Sequence, residues 1–190
     1  MKSTKAIFPL FILVALVQLF VPAQMIWNNE DVLETGKAFK FKTAPIDPND
    51  PFRGKYIFLN FDNVDVEIPK EHDWKRGELV YVSLLENTAG FAEISSVSKM
   101  EPKETGDFVI AKVGFINSYN TDKTTMTIQY PFERFYMEES KAYDAELTYR
   151  DSQRDTTKTT YALVHVKNGD AVLRDVLIDG IPIKDLVKKE

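Results

Sequence analysis

The pattern of hydrophobic positions divides the chain into one long apolar run and a longer stretch of short alternating segments. Residues 6–27 (AIFPLFILVALVQLFVPAQMIW) carry no charge, and Gln18 is their main polar interruption. At about 1.5 Å per residue, a helix over this run is roughly 33 Å long, enough for a hydrocarbon core of about 30 Å. Pro9 falls in the first turn, where a missing N–H does little harm. The run therefore predicts one transmembrane helix.

The residues that flank this run predict its orientation. Two lysines precede it, whereas Glu30 and Asp31 follow it. The preference for basic residues on the cytoplasmic side then predicts a cytoplasmic N-terminus and an extracytoplasmic domain. A cleavable signal peptide is the alternative, since residues 21–23 (VPA) offer a signal peptidase small or modest side chains. A retained anchor is favoured because apolar character continues to Trp27. A helix buried in a soluble core is the least favoured interpretation.

After Gly36, short alternating runs are separated by Gly, Pro, Asn and Asp, a pattern typical of β-strands. Asn168-Gly169 joins two such runs and predicts a tight hairpin. One further helix is predicted from Glu138 to about Arg150, followed by a loop over residues 151–159. The predicted strands cover residues 37–42, 55–61, 64–68, 78–85, 90–98, 107–115, 124–130, 160–167 and 171–178.

These elements predict a mainly β (β-rich α+β) extracytoplasmic domain with one N-terminal transmembrane helix and one further short helix. Residues 1–27 form the membrane anchor or signal peptide in this interpretation, residues 28–35 form a spacer, and residues 36–190 form the domain. The irregular spacing of the glycine-led strand starts argues against an array of repeats.

Charge and cysteine content narrow the function classes. Two of the 24 basic residues, Lys2 and Lys5, precede the apolar run, and the other 22 follow it with all 29 acidic residues, a balance of −7. An acidic domain repels phosphate backbones, so nucleic-acid binding is not predicted. The chain has no cysteine, which excludes disulfides, thiolate nucleophiles and zinc–thiolate sites.

The segment Asp47-Pro48-Asn49-Asp50-Pro51 carries the clearest candidate for bound chemistry. Asp47 and Asp50 offer oxygen ligands for calcium, but the spacing and distal Glu of an EF-hand are missing, so a stiff proline turn is favoured. Arg53 is predicted to pair with a carboxylate such as Asp50 or Glu133, and anion or partner binding is its alternative role.

Catalytic and metal chemistry finds little support along the chain. His72 lies in a charged loop and His165 in an alternating strand, and neither shows the ligand spacing of a zinc site. Membrane-bound signal peptidases use a serine soon after their anchor, whereas no serine occurs here between Ser3 and Ser83. We therefore predict a protein that is not an enzyme and that carries no cofactor.

Residues 45–61 (PIDPNDPFRGKYIFLNF) resemble the signature of the GDYXXLXY family of bacterial membrane-anchored proteins. Gly54, Tyr56 and Leu59 match the motif, whereas Lys55 replaces its Asp and Phe61 its final Tyr. Residues 130–136 (YPFERFY) and the closing segment at residues 177–180 (LIDG) also resemble the family.

The family has no assigned activity, so the resemblance implies none for this chain. The genes of the family are often found beside genes for multi-spanning membrane proteins. We therefore expect a non-enzymatic accessory or interaction protein that acts with an integral membrane partner at the outer, periplasmic face of the inner membrane. An extracytoplasmic ligand- or cation-binding module is the alternative. The expected binding residues are those of the motif and its neighbours: Asp47, Asp50, Arg53, Gly54, Tyr56 and Glu133.

Overall fold

A computed structural model describes residues 4–44, 56–103, 106–118 and 123–187. Twelve strands and three helices lie within these ranges. In chain order they are α1 (Thr4–Thr35), β1 (Lys37–Ala44), β2 (Tyr56–Phe58), β3 (Asn60–Phe61), β4 (Asp65–Pro69), β5 (Leu79–Glu86), β6 (Ala92–Ser98), β7 (Phe108–Asn117), β8 (Lys123–Gln129), β9 (Arg134–Tyr136), α2 (Glu139–Arg154), β10 (Thr160–Lys167), β11 (Asp170–Ile178), β12 (Ile181–Pro182) and α3 (Ile183–Leu186).

The first helix, α1, exposes nearly all of its apolar surface. It is long and apolar enough to cross a membrane, its best window has a mean hydropathy of 2.1, and none of that window is buried. Side chains such as Phe11, Leu19 and Trp27 are 67%, 71% and 78% exposed. A continuous apolar surface of this size needs lipid or protein to cover it. The helix therefore fits a single membrane span, and the interpretation of a buried core helix is wrong.

The end of α1 continues directly into the β-domain. Residues 28–35, expected to form a spacer, are the last two turns of the helix. They stay helical because residues 28–35 contain no proline or glycine and because the domain holds them: Val32 is 4% exposed, and Lys167 Nζ donates to Asp31 Oδ2 at 2.6 Å. The same ammonium group lies 2.8 Å from the hydroxyl oxygen of Thr35. The apolar helix and the domain thus share a packed junction.

Two five-stranded antiparallel sheets and one two-stranded pair form the domain. Their strand orders are β12-β11-β10-β1-β3, β4-β8-β7-β5-β6 and β2-β9. The inward positions of the sheets contribute to a single hydrophobic core cluster, in which Phe39 and Val164 come from one five-stranded sheet and Val82 and Val109 from the other. The sheets are also joined by backbone, since Ile110 N donates to the carbonyl of Gly169 at 2.9 Å.

The hairpin predicted at Asn168-Gly169 is confirmed. Both residues have positive φ, 51° and 89°, as a two-residue turn between twisted strands requires. A side chain at Gly169 would also meet the ring of Phe108 at 2.7 Å, so only glycine fits between the turn and the neighbouring sheet. The turn therefore sets the register of β10 and β11 and seats them against β7.

Most predicted strands are present, and the mainly β fold with an N-terminal apolar helix is confirmed. Several details differ. Within residues 56–61, the predicted strand consists of two short strands, because β2 pairs with β9 whereas β3 pairs with β1. The helix α2 continues to Arg154, into the predicted loop. A second short helix, α3, follows the closing strand because Ile183, fully buried, holds that single turn against the core.

Candidate functional site

The two motif-like segments of the sequence lie against each other. Strand β2 pairs antiparallel with β9, so that Tyr56 is opposite Tyr136 and Phe58 is opposite Arg134. The amide of Leu59 then donates to the carbonyl of Glu133 at 2.8 Å, which extends the pairing by one bond. This small ribbon is therefore fixed by contacts between segments almost 80 residues apart in the chain.

A cleft of about 440 Å³ opens beside this ribbon. Its lining combines two exposed apolar side chains, Leu79 and Tyr136, with charged and polar groups from three strands and the β8–β9 connection. The lining residues are Leu79, Ile110, Ala111, Lys112, Gln129, Tyr130, Pro131, Glu133, Arg134 and Tyr136. Clefts of 300 to 1,000 Å³ with a few convergent polar groups are of the size that takes small ligands.

The buried side of the cleft rests on an aromatic cluster. Tyr130, 3% exposed, stacks on Phe132 with ring centroids 5.0 Å apart, and Phe41 meets both rings edge to face. Phe61 completes the cluster at 5.8 Å from Tyr130. Burial raises the pKa of the Tyr130 phenol far above its ordinary value, so this group stays neutral. The cluster gives the cleft a rigid base.

Glu133 is the one carboxyl group among the described lining residues. It is half-buried, and burial raises its pKa, while the Gln129 amide 3.4 Å away and the nearby Arg134 act in the opposite direction. Desolvation therefore outweighs the local compensation. A carboxyl group in a cleft with a raised pKa is a marker of functional sites, though structural networks produce the same shift.

Arg134 covers the outer edge of the ribbon. Its guanidinium carbon lies 5.1 Å from the centre of the Tyr56 ring, which is itself 5.5 Å from the Tyr136 ring. Hydrogen bonding with Tyr136 raises the pKa of Arg134 further, so the group is a permanent cation. With Lys112, which also lines the cleft, two cations, one protonatable carboxyl group and the exposed ring of Tyr136 are available to a ligand.

Two of the six predicted site residues fall in the described ranges. The structure brings them to the same ribbon: Glu133 lines the cleft, and Tyr56 stacks beneath Arg134 at its edge. Asp47, Asp50, Arg53 and Gly54 lie outside the described residues. Lys112, Gln129 and Arg134 were not predicted. Arg134 belongs to the aromatic-rich segment at residues 130–136, and the other two have no local signal in the sequence.

The two histidines lie apart from this cleft. His72 is in the loop between β4 and β5, and His165 is on β10, where burial and the neighbouring Arg174 lower its pKa. Within the described ranges, no group of three or more His, Asp or Glu side chains is arranged to hold a metal ion.

The family profile described as GDYXXLXY protein matches residues 18–176. The chain belongs to the GDYXXLXY family. No curated protein and no solved structure matches it. The match begins inside the apolar helix and ends in β11, so it covers both the second half of α1 and nearly the whole β-domain.

The fold gives a physical account of the described GDYXXLXY positions. Leu59 is 1% exposed in the core, and Phe61 is 6% exposed in the aromatic cluster, where its ring meets those of Phe41, Tyr130 and Phe132. Tyr56 instead faces the cation of Arg134 at the surface. Leu59 therefore belongs to the core, Phe61 belongs to the aromatic cluster beneath the cleft, and Tyr56 belongs to the ribbon beside it.

Proposed function

We propose that this protein is a non-enzymatic, membrane-anchored accessory protein that acts with an integral membrane partner. In this proposal α1 is retained in the bacterial inner membrane with its N-terminus in the cytoplasm, and the β-domain lies at the periplasmic face. The observation that carries it is the unburied apolar helix that continues, without a flexible spacer, into the packed domain.

The packed junction supports a role at the membrane surface. Trp27 is eight residues before Thr35, so the domain begins about 12 Å beyond the last apolar residue of the helix. A domain attached by Val32 and the Asp31–Lys167 pair keeps a defined orientation relative to α1. A partner in the same membrane would then meet both the helix and the domain in a fixed arrangement.

Co-purification from membranes tests the proposal. We expect the full chain, extracted in mild detergent, to carry one membrane-spanning protein with it in constant ratio. A matched control replaces residues 6–27 by an unrelated leucine–alanine span of equal length, which keeps the anchor and removes its specific surface. Recovery of the wild-type chain alone at every salt concentration would contradict the proposal, as would its recovery from the soluble fraction.

A ligand- or cation-binding module is the second candidate, and the cleft favours it. Its carboxyl group, Glu133, is half-buried in the cleft, and burial raises its pKa. Sites that lower stability in this way are often retained for binding. Glu133 is the one acidic group among the described lining residues, so a cation would need further ligands. We propose that Asp47 and Asp50, the calcium ligands predicted from the sequence, supply them.

Replacing Glu133 by glutamine tests this candidate. Because the pKa of Glu133 is raised in the folded state, its contribution to stability is greatest below the unfolded pKa and is lost as pH rises through the folded pKa. At pH 7 the unliganded Glu133→Gln variant should therefore melt above the wild type. Calcium should raise the melting temperature of the wild type in proportion to the logarithm of its concentration, and leave the variant unchanged. Exposed Glu101, changed to glutamine, is the control. A flat calcium response in the wild type ends the cation version.

A further inference from the structure

The middle of α1 carries one polar side chain that the rest of the described chain leaves without a partner. Gln18 is exposed and makes no side-chain hydrogen bond within the described ranges. It lies nine residues before Trp27, about 14 Å along the helix, which places it near the centre of a bilayer about 30 Å thick. An amide at that depth has no water to bond.

Pro22 adds a second unsatisfied group at the same position. It lies inside α1 and has no N–H, so it cannot donate to the carbonyl four residues earlier, which is the carbonyl of Gln18. The side-chain amide and this freed carbonyl together offer both donors and acceptors in one place. In lipid such groups are satisfied by neighbouring helices or buried polar side chains.

The spacing of the neighbouring residues places these groups on one stripe along α1, which we call the seam. Positions 11, 15, 18, 22 and 25 follow the alternating four-and-three steps of a heptad seam, and Ala15 is small enough to allow close approach of another backbone. Continuing the same steps leads to Asn29 and then to Val32. Val32 is the α1 residue that the β-domain buries, at 4% exposure.

The position at which the seam ends distinguishes two kinds of helix that could pack against it. A second copy of the chain, packed along the same seam, would reach the level of Val32 and compete there with the β-domain. A helix that ends at the membrane surface would meet the seam only below Asn29 and leave the junction intact. The acidic balance of −7 beyond the span also repels a second domain from the first.

We propose that the seam of Phe11, Ala15, Gln18, Pro22 and Met25 binds one transmembrane helix of an integral membrane protein, which presents a hydrogen-bonding side chain to Gln18 near the bilayer centre. The inference rests on the proposed function, because it requires that α1 is retained in the membrane. It names the surface of α1 that selects the partner. The domain then lies above the partner helix on the Val32 side.

Site-specific crosslinking in native membranes tests the seam. The chain has no cysteine, so a single cysteine can carry a photo-crosslinker in the full-length protein. Ala15→Cys lies on the seam, and Leu13→Cys, about 160° away around the helix, is the matched control. We expect Ala15→Cys to give a crosslink to a membrane-spanning protein and Leu13→Cys to give at least several-fold less of it.

A second pair of variants tests the amide itself. In the Ala15→Cys chain, Gln18→Leu should lower the yield of that crosslink about three- to tenfold, as loss of an interhelical hydrogen bond predicts. Gln24→Leu removes an equivalent amide off the seam and should leave the yield unchanged. Moving the amide by one position, with Gln18→Leu and Leu19→Gln together, keeps the composition and should behave as Gln18→Leu does.

The outcomes separate the inference from the proposed function. A crosslinked protein whose spanning helix carries a polar side chain at the crosslinked depth, with yield dependent on Gln18, supports the seam. A crosslinked dimer of this chain overturns it in favour of a second copy. Equal yields at positions 13 and 15, or yields independent of Gln18, overturn the seam while co-purification still supports a membrane partner. A chain absent from the membrane fraction overturns both.

Discussion

Leu59→Ala is expected to lower the free energy of unfolding by about 2–5 kcal/mol, the range measured when a buried leucine is truncated. Leu59 is 1% exposed and belongs to the core cluster that both five-stranded sheets share. Its backbone is held as well, because its amide donates to Glu133 at 2.8 Å. The surrounding atoms are therefore poorly able to collapse into the space that the side chain leaves.

Leu79→Ala is the matched control for this experiment. It makes the same chemical change at a residue that is 55% exposed and lines the cleft. Its effect should stay within about 0.5 kcal/mol. Denaturant unfolding of the full chain in mild detergent, followed by tryptophan fluorescence, measures both variants. Equal effects would show that the buried position of Leu59 in the family motif does not contribute to stability as the packing implies.

The parts of the fold that the sequence predicts well are those coded locally. The alternation of Phe39 and Phe41 with lysines places one face of β1 in the core, and the burial of β1 follows it. Asn168-Gly169 specifies a turn type through backbone conformation alone, so the hairpin needs no information from elsewhere in the chain. The apolar run before Trp27 is similarly unambiguous, because its length and composition suffice.

The parts that the sequence does not predict depend on contacts between distant residues. Residues 28–31 are polar and resemble a linker. The ion pair that fixes their end joins Asp31 to Lys167, which lies 136 residues later in the chain. Strand β9 has three residues, too few to show a period, and it exists because β2 pairs with it. No local pattern reveals either contact.

The cleft is unpredictable for the same reason. The sequence predicts Glu133 as a partner of Arg53 and as a binding residue beside the motif, whereas the described structure places it next to Gln129 and Arg134 in a cleft that Lys112 also lines. These residues come from separate strands and share no spacing that indicates a common site. Periodicity can assign a residue to a face of a strand, but the assembly of a cleft depends on how the strands are ordered.

Gly36→Ala is expected to disrupt the junction between α1 and the domain. A Cβ atom at this position would clash with the carbonyl oxygen of Val32 and lie 3.0 Å from that of Val166. Both are backbone atoms of packed elements, so neither can move aside as a flexible side chain would. The Gly36 amide also donates to the Val32 carbonyl at 2.9 Å, and a shift that relieves the clash strains this bond. We expect a loss of about 1–3 kcal/mol, as for other overpacked sites.

Gly106→Ala supplies the control, because a Cβ atom there would meet no atom within 4 Å. That variant should change the stability by less than about 0.5 kcal/mol. Limited proteolysis of the full chain in detergent provides the second measurement: cleavage near residues 28–36 should accelerate in Gly36→Ala and not in Gly106→Ala. Because the proposed seam on α1 ends at Val32, a loosened junction should also free the domain from its orientation over the partner. Unchanged proteolysis in Gly36→Ala would mean that helix and domain are joined as loosely as a spacer would join them, and it would contradict a fixed arrangement of the domain at the membrane.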